Sequence, residues 1–324
     1  MYILDAHCDA PTQMYRGRDF GKDNPGVQVD FPKMQKARIG GSFFALYIPA
    51  NLSNEEASEY ALAQLEEVKR QVAANAGKVA FATDKASMEV NISKGLSSIF
   101  LGLENGSALL GRPGMLEHLY DEGVRYVTLC HSADNDLCDS CTGQGRWGGL
   151  SPLGREMVKR MNDLGMIIDL AHTSNSTVRD VLSISEKPVA YTHGCCSALC
   201  SHPRNLPDSL IEAIARNGGV VCISIYPCFL SDGYADFDDD MPDGRAMPEL
   251  DYVLDHICHA VEIAGVGHVG IGTDYDGINH TAKGLESIDK LPVLLDRLAG
   301  RGFGYEDLVK MASGNLLRVI LAQK

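Results

Sequence analysis

The stretch Tyr2-Ile3-Leu4-Asp5-Ala6-His7-Cys8-Asp9 decides how the rest of the chain is read. Its apolar start, Tyr2–Asp5, has the character of a short buried strand. An open, doubly wound α/β sheet usually follows its first strand with a glycine-rich turn that cradles phosphate. Here the strand runs instead into His7, Cys8 and Asp9. Side chains of an extended segment repeat every two residues, so His7 and Asp9 share one side and Cys8 faces the other.

Working outward, the same plan recurs: apolar strand, polar strand end, helix. Further strands are predicted over 42–48, 98–103, 123–130, 166–170, 188–192, 219–225 and 268–272. Helices are predicted over 54–74, 152–164 and 207–216, and another opens near Ser174. Ser53 followed by Glu56 is a capping box for the first of them. Gly165 stands just past the end of the second, where a left-handed residue closes a helix. Eight apolar strands without strict alternation fit a parallel sheet covered on its faces. The simplest closed form is a single (β/α)8 TIM-type barrel over residues 1–324.

The chain has 324 residues and 45% hydrophobic residues, enough to bury a core without staples. Lys plus Arg is 29 and Asp plus Glu is 43, a net charge of −14. That balance argues against nucleic acid and anionic membrane surfaces as partners, since phosphate binding needs clustered cations. No basic region with a following apolar stretch opens the chain, and no apolar run is long enough to span a bilayer. A cytoplasmic enzyme with reduced cysteines is the expectation. Cys138 and Cys141 form one C-x-x-C, whereas a zinc ribbon needs two such pairs. Ser231–Arg245 reads as a long acidic loop, a lid or an oligomer contact, with a plain solvated insertion as the equal alternative.

Polar residues gather at the predicted strand ends: His7 and Asp9, Glu104, His131, His172, His193 and Asp274. In a barrel these positions converge on the C-terminal rim, where barrel enzymes do their chemistry. Burying so many polar groups together costs roughly 2–7 kcal/mol each unless something pairs them, and divalent cations would. Imidazole with carboxylate favours zinc. His7 and Asp9 can chelate one ion, His172 and His193 a second, with Glu104 bridging. Two such ions sharing a hydroxide imply hydrolysis. His256, His259 and Glu262 lie one helical turn apart and read as a solvated face. His118, His202, His268 and His280 fall outside the pattern.

Five segments in chain order carry a family resemblance: Asp5-Ala6-His7-Cys8-Asp9, Gly102-Leu103-Glu104-Asn105-Gly106, Ala171-His172-Thr173-Ser174, His202-Pro203-Arg204-Asn205-Leu206-Pro207-Asp208 and Gly272-Thr273-Asp274-Tyr275-Asp276-Gly277. Together they resemble the membrane (renal) dipeptidase family of zinc peptidases. The resemblance implies a dimeric barrel with two Zn2+ per chain that hydrolyses dipeptides, including those with a C-terminal D-amino acid. By the same resemblance, His7 and Asp9 bind one zinc, Glu104 bridges, and His172 and His193 bind the other. His131 steadies the oxyanion, Arg204 holds the substrate carboxylate, Asp274 handles protons and meets the substrate amine, and Tyr226 reaches the substrate. One rival reading is another amidase of the metal-dependent hydrolase barrels, which usually open with H-x-H. A catalytically silent scaffold is the other, and it would be expected to lose ligands.

Overall fold

The computed structural model describes residues 1–237 and 244–324. Among the described residues, nine parallel strands form one sheet: β1 Leu4–Cys8, β2 Gly41–Tyr47, β3 Val79–Phe81, β4 Ser97–Glu104, β5 Val124–Thr128, β6 Ile167–Asp169, β7 Ala190–Gly194, β8 Val220–Ile223 and β9 Val269–Ile271. Eight of them run in the order β1-β2-β4-β5-β6-β7-β8-β9, with helices between. The seam between last and first strands is closed by backbone hydrogen bonds from Asp9 N to Tyr275 O (2.7 Å) and from Asp274 N to His7 O (3.0 Å). This is the predicted α/β barrel.

Sequence reading gave eight strands; β3 is additional. It pairs with β4 along Ser97–Ile99, and β5 takes the same edge along Leu101–Glu104. Its three residues, Val79-Ala80-Phe81, are apolar but too few to carry a strand pattern. The helix Asn54–Ala74 is capped as predicted: Glu56 N donates to Ser53 Oγ, and Ser53 N donates to Glu56 Oε2. The helix Pro152–Leu164 ends on Gly165 at φ 81°.

Leu4, Phe43, Phe100, Tyr126, Ile167, Ala190 and Val220 form one buried cluster, joined by the C-terminal helix Asn315–Leu321. They fill the barrel interior as stacked side-chain layers do in this architecture. Two residues further along their strands lie Gly102, Thr128, Asp169 and Thr192, which point inward by the strand repeat. Glu104 follows at the end of β4. The interior thus changes from apolar to polar towards the C-terminal rim. Parts of the acidic loop 231–245 lie outside the described residues. At its described ends, Arg245 pairs with Asp236.

Candidate active site

At the rim lies a cavity of about 410 Å³, walled by Asp9, Glu104, His131, His172 and Asp274 from five βα junctions, with Thr12, Arg16, Tyr47, Asp276 and Gly277 completing it. Glu104 is central. Its Oε1 is 3.0 Å from His172 Nε2 and 3.5 Å from His193 Nε2. Its Oε2 is 3.6 Å from His7 Nε2, which is in turn 3.6 Å from Asp9 Oδ2 and 3.9 Å from Asp274 Oδ1. The two oxygens of one carboxylate therefore face different donor groups.

These side chains fit divalent cations. His7 Nε2 and Asp9 Oδ1 are buried without a hydrogen-bond partner. A buried polar atom left so is costly unless a ligand completes it. His172 Nε2 and His193 Nε2 face each other at 3.0 Å. Four donors arranged tetrahedrally at ~2.0–2.1 Å from zinc stand about 3.3 Å apart, close to the spacings here. Three overlapping donor sets emerge: His7 with Glu104 and His193; Glu104 with His131 and His172; His7 with Asp9 and Asp274. Asp274 thus stands among the donors as well as on the cavity wall.

The electrostatics point the same way. Burial pushes the Asp9 carboxyl up to about 6, and nearby Glu104 adds to it. Asp274 is raised well above the usual carboxylate range, first by burial, with Asp9 and Glu104 adding against the pull of His7. Burial alone would also raise Glu104, but His7, His172 and His131 outweigh it and hold the carboxyl well below its ordinary value. Burial opposes a proton on His7; Glu104 and Asp9 overcome that and raise it. Buried His172 and His193 are held neutral, the state in which imidazole ligates metal. So many acids brought together in one largely buried space call for positive charge.

Backbone strain gathers here too. Asn105, His172, Asp274 and Asp276 all have φ between 66° and 84°. Non-glycine residues rarely take this left-handed conformation, and it clusters at functional sites.

A model of the membrane dipeptidases, peptidase family M19, matches residues 1–324. The chain belongs to that family. Dipeptidase aclJ of Aspergillus oryzae is 36% identical over 318 residues, covering 95% of this chain and 73% of the relative. An uncharacterized dipeptidase of Schizosaccharomyces pombe is 32% identical over 337 residues, covering 98% of this chain and 80% of the relative. The solved structure of the probable dipeptidase PvdM from Pseudomonas aeruginosa matches with TM-score 0.92 at 22% identity, over 100% of this chain and 95% of that one. A Rhodobacter sphaeroides metallo peptidase, liganded with a phosphinate mimic of L-Ala-D-Ala, matches with TM-score 0.89 at 23% identity, over 100% and 99%. At these identities the structural likenesses establish the fold. Family membership makes this protein a peptide-bond hydrolase, a dipeptidase of a metallopeptidase family.

In this dipeptidase the five predicted ligands converge on one cluster. His131 joins it, its ring centroid 4.1 Å from that of His172 and 4.9 Å from that of Tyr47. Arg204 is buried; Nη1 donates to Tyr191 Oη (3.0 Å) and Nη2 to the His193 carbonyl (3.0 Å). Its Nε is buried without a hydrogen-bond partner, and Arg204 stands behind the cavity rather than among the residues that wall it. Tyr226 stands edge-on to Phe229 (4.9 Å), over which the Arg204 guanidinium also lies.

Several contributors escaped sequence reading. Tyr126 Oη meets His7 Nδ1 at 2.8 Å, and Thr192 Oγ1 meets His193 Nδ1 at 2.9 Å. Asp5 accepts from Ser42 Oγ, Thr273 N and Thr273 Oγ1, tying β1 to β2 and to the segment after β9. The expectation of a solvated face for His256 is corrected. That ring is buried, accepts from Cys196 N and meets the Leu230 carbonyl, so it is a satisfied structural histidine. His259 pairs with Asp208.

Proposed function

We propose that this dipeptidase is a two-zinc enzyme that cleaves dipeptides, with His7, Asp9, Glu104, His172 and His193 as the metal ligands. One observation carries the reading: the two oxygens of Glu104 face separate histidine groups. Zinc held there would supply an activated water and a Lewis acid for the peptide carbonyl. The protein residues do the rest. Arg204 takes the substrate's terminal carboxylate through its unpartnered Nε edge, which limits the pocket to one residue beyond the scissile bond. Tyr226, sharing Phe229 with Arg204, flanks that end. His131, held neutral chiefly by burial, donates a hydrogen bond to the carbonyl oxygen as it gains charge. Asp274 binds the free amine and passes a proton to the departing nitrogen.

The mimic bound to the Rhodobacter relative motivates testing D-residues at the C-terminal position. All ten cysteines are free, which favours a reducing compartment such as the cytoplasm. No helix among the described residues is long and apolar enough to cross a membrane. The family resemblance supports a homodimer, which sedimentation would read. The decisive experiment pairs elemental analysis with hydrolysis of an L-Xaa-L-Xaa and L-Xaa-D-Xaa panel. Close to two zinc ions per chain and turnover of dipeptides are expected; active protein with one ion or none would sink the two-metal reading.

A further inference from the structure

Below the metal-binding histidines, Thr128 on β5 is the register partner of Asp169 on β6, and Thr192 on β7, two residues past the register partner Ala190, reaches the same carboxylate. All three are fully buried, and none is among the residues that wall the cavity. Asp169 Oδ1 accepts from Ala171 N (3.1 Å) and Thr192 N (3.0 Å). Its Oδ2 accepts from Thr128 Oγ1 (2.6 Å) and Thr192 Oγ1 (2.7 Å). An ionised carboxylate offers about four acceptor positions, so this one is filled.

The hydrogen count then continues outward. Thr192 has one hydroxyl proton, and it goes to Asp169. Its oxygen remains as an acceptor, 2.9 Å from His193 Nδ1. Nδ1 must therefore carry the ring proton, and Nε2 keeps a bare lone pair. That lone pair faces Glu104 Oε1 and His172 Nε2. A histidine's outer hydrogen bond fixes which nitrogen is free to bind metal.

We propose that Asp169, acting through the Thr192 hydroxyl, is a positioning residue that holds His193 as its Nδ1–H tautomer, with Nε2 turned to the Glu104–His172 cluster. The inference rests on reading His193 as a metal ligand. It makes the barrel's inner polar layer part of the metal site, three strands wide.

Thr128 supplies the control. Thr128→Val and Thr192→Val each delete one hydroxyl from the same carboxylate oxygen, but only Thr192 touches a histidine. Zinc affinity, read by competition with a chromophoric chelator and independently of turnover, is expected to fall ~10–100-fold in Thr192→Val. Thr128→Val should bind near wild type, and Thr192→Ser, which keeps the hydroxyl, should recover. Equal affinities in the two valine variants would overturn the proposal, as would a serine variant that binds as poorly as valine. A second measurement needs no variant. Long-range proton–nitrogen correlation on the His193 ring of metal-free wild type should report the Nδ1–H tautomer, and Nε2–H would overturn it. Failure of the metal reading looks different: wild type then binds no zinc, while the tautomer still decides the relay.

Discussion

The Tyr126 ring occupies the place where a side chain on Gly102 would stand: a Cβ built there falls 2.2 Å from the ring's Cζ. The two residues are register partners on β4 and β5. The missing side chain lets Tyr126 lie across the barrel with its hydroxyl on His7 Nδ1.

Gly102→Ala should therefore cost about 1–3 kcal/mol or more as overpacking of a dense core. It should also displace Tyr126 from His7 and weaken metal binding. Tyr126→Phe keeps the packing and removes only the hydroxyl. Urea unfolding together with zinc content separates the two effects: an alanine variant with full zinc and unchanged stability would contradict the packing described.

Glu104→Gln should impair both metal positions at once. A neutral amide offers one good oxygen where the carboxylate presents two, facing His7 on one side and His172 and His193 on the other. Elemental analysis should show well under two ions per chain. Loss of a single ion, with the other retained at full occupancy, would argue that Glu104 serves one position only.

Arg204→Lys keeps the charge and loses the planar fork. With two guanidinium nitrogens tied to Tyr191 and the His193 carbonyl, the unpartnered Nε edge is what remains for a carboxylate. kcat/KM on dipeptides should drop about 10–100-fold, on the scale of a lost bidentate charge-assisted bond. Wild type should turn over dipeptide amides poorly, and equal turnover of acid and amide would remove Arg204 from substrate recognition.

Asp274→Asn discriminates two roles, since Asp274 Oδ1 lies 3.9 Å from His7 Nε2 and belongs to a donor set with His7 and Asp9. If it moves protons, zinc content and Tm stay near wild type while kcat falls, typically by ~10²–10⁴-fold. Missing zinc in the variant would instead make it a ligand. Metal content and kcat on one preparation decide between them.

Asp5 gives a pH signature. Burial raises its carboxyl from 3.8 to about 6, despite hydrogen bonds from Thr273 and Ser42. A carboxyl whose folded pKa is raised contributes its full stability below the unfolded value and loses it as pH rises through the folded one. Relative to Asp5→Asn, wild type should therefore lose about 2–3 kcal/mol between pH 4 and 8, most of it between about pH 4 and 6. Urea unfolding of both metal-free proteins across that range tests it; parallel curves would show that Asp5 does not titrate this way.

Much of this molecule was legible because its chemistry sits where strands end. His7, Asp9, Glu104, His172 and His193 each follow an apolar run, and one barrel brings all such ends to one rim. The Ser53–Glu56 cap and the Gly165 stop were readable because they are local. What escaped depends on neighbours far apart in the chain. Tyr126 matters through a register partner that lacks a side chain, and Asp169 through threonines on both flanking strands. His256 looked solvated because helical spacing shows one face of a helix but not what covers it; Cys196 and Leu230 cover it here. Three-residue β3 was too short to carry a pattern.

The seam between the first and last strands has a consequence for how the enzyme is made. Asp9 N reaches Tyr275 O, and Asp274 N reaches His7 O, so the earliest and latest thirds of the chain meet inside the reaction centre. A growing polypeptide at ~5–20 residues per second needs on the order of tens of seconds between exposing His7 and supplying Asp274. During that interval the ribosome holds a string of histidines, acids and thiols without the walls that would order them. Because Asp274 shares a donor set with His7 and Asp9, a chain that stops before it lacks part of the site and is expected to be inactive.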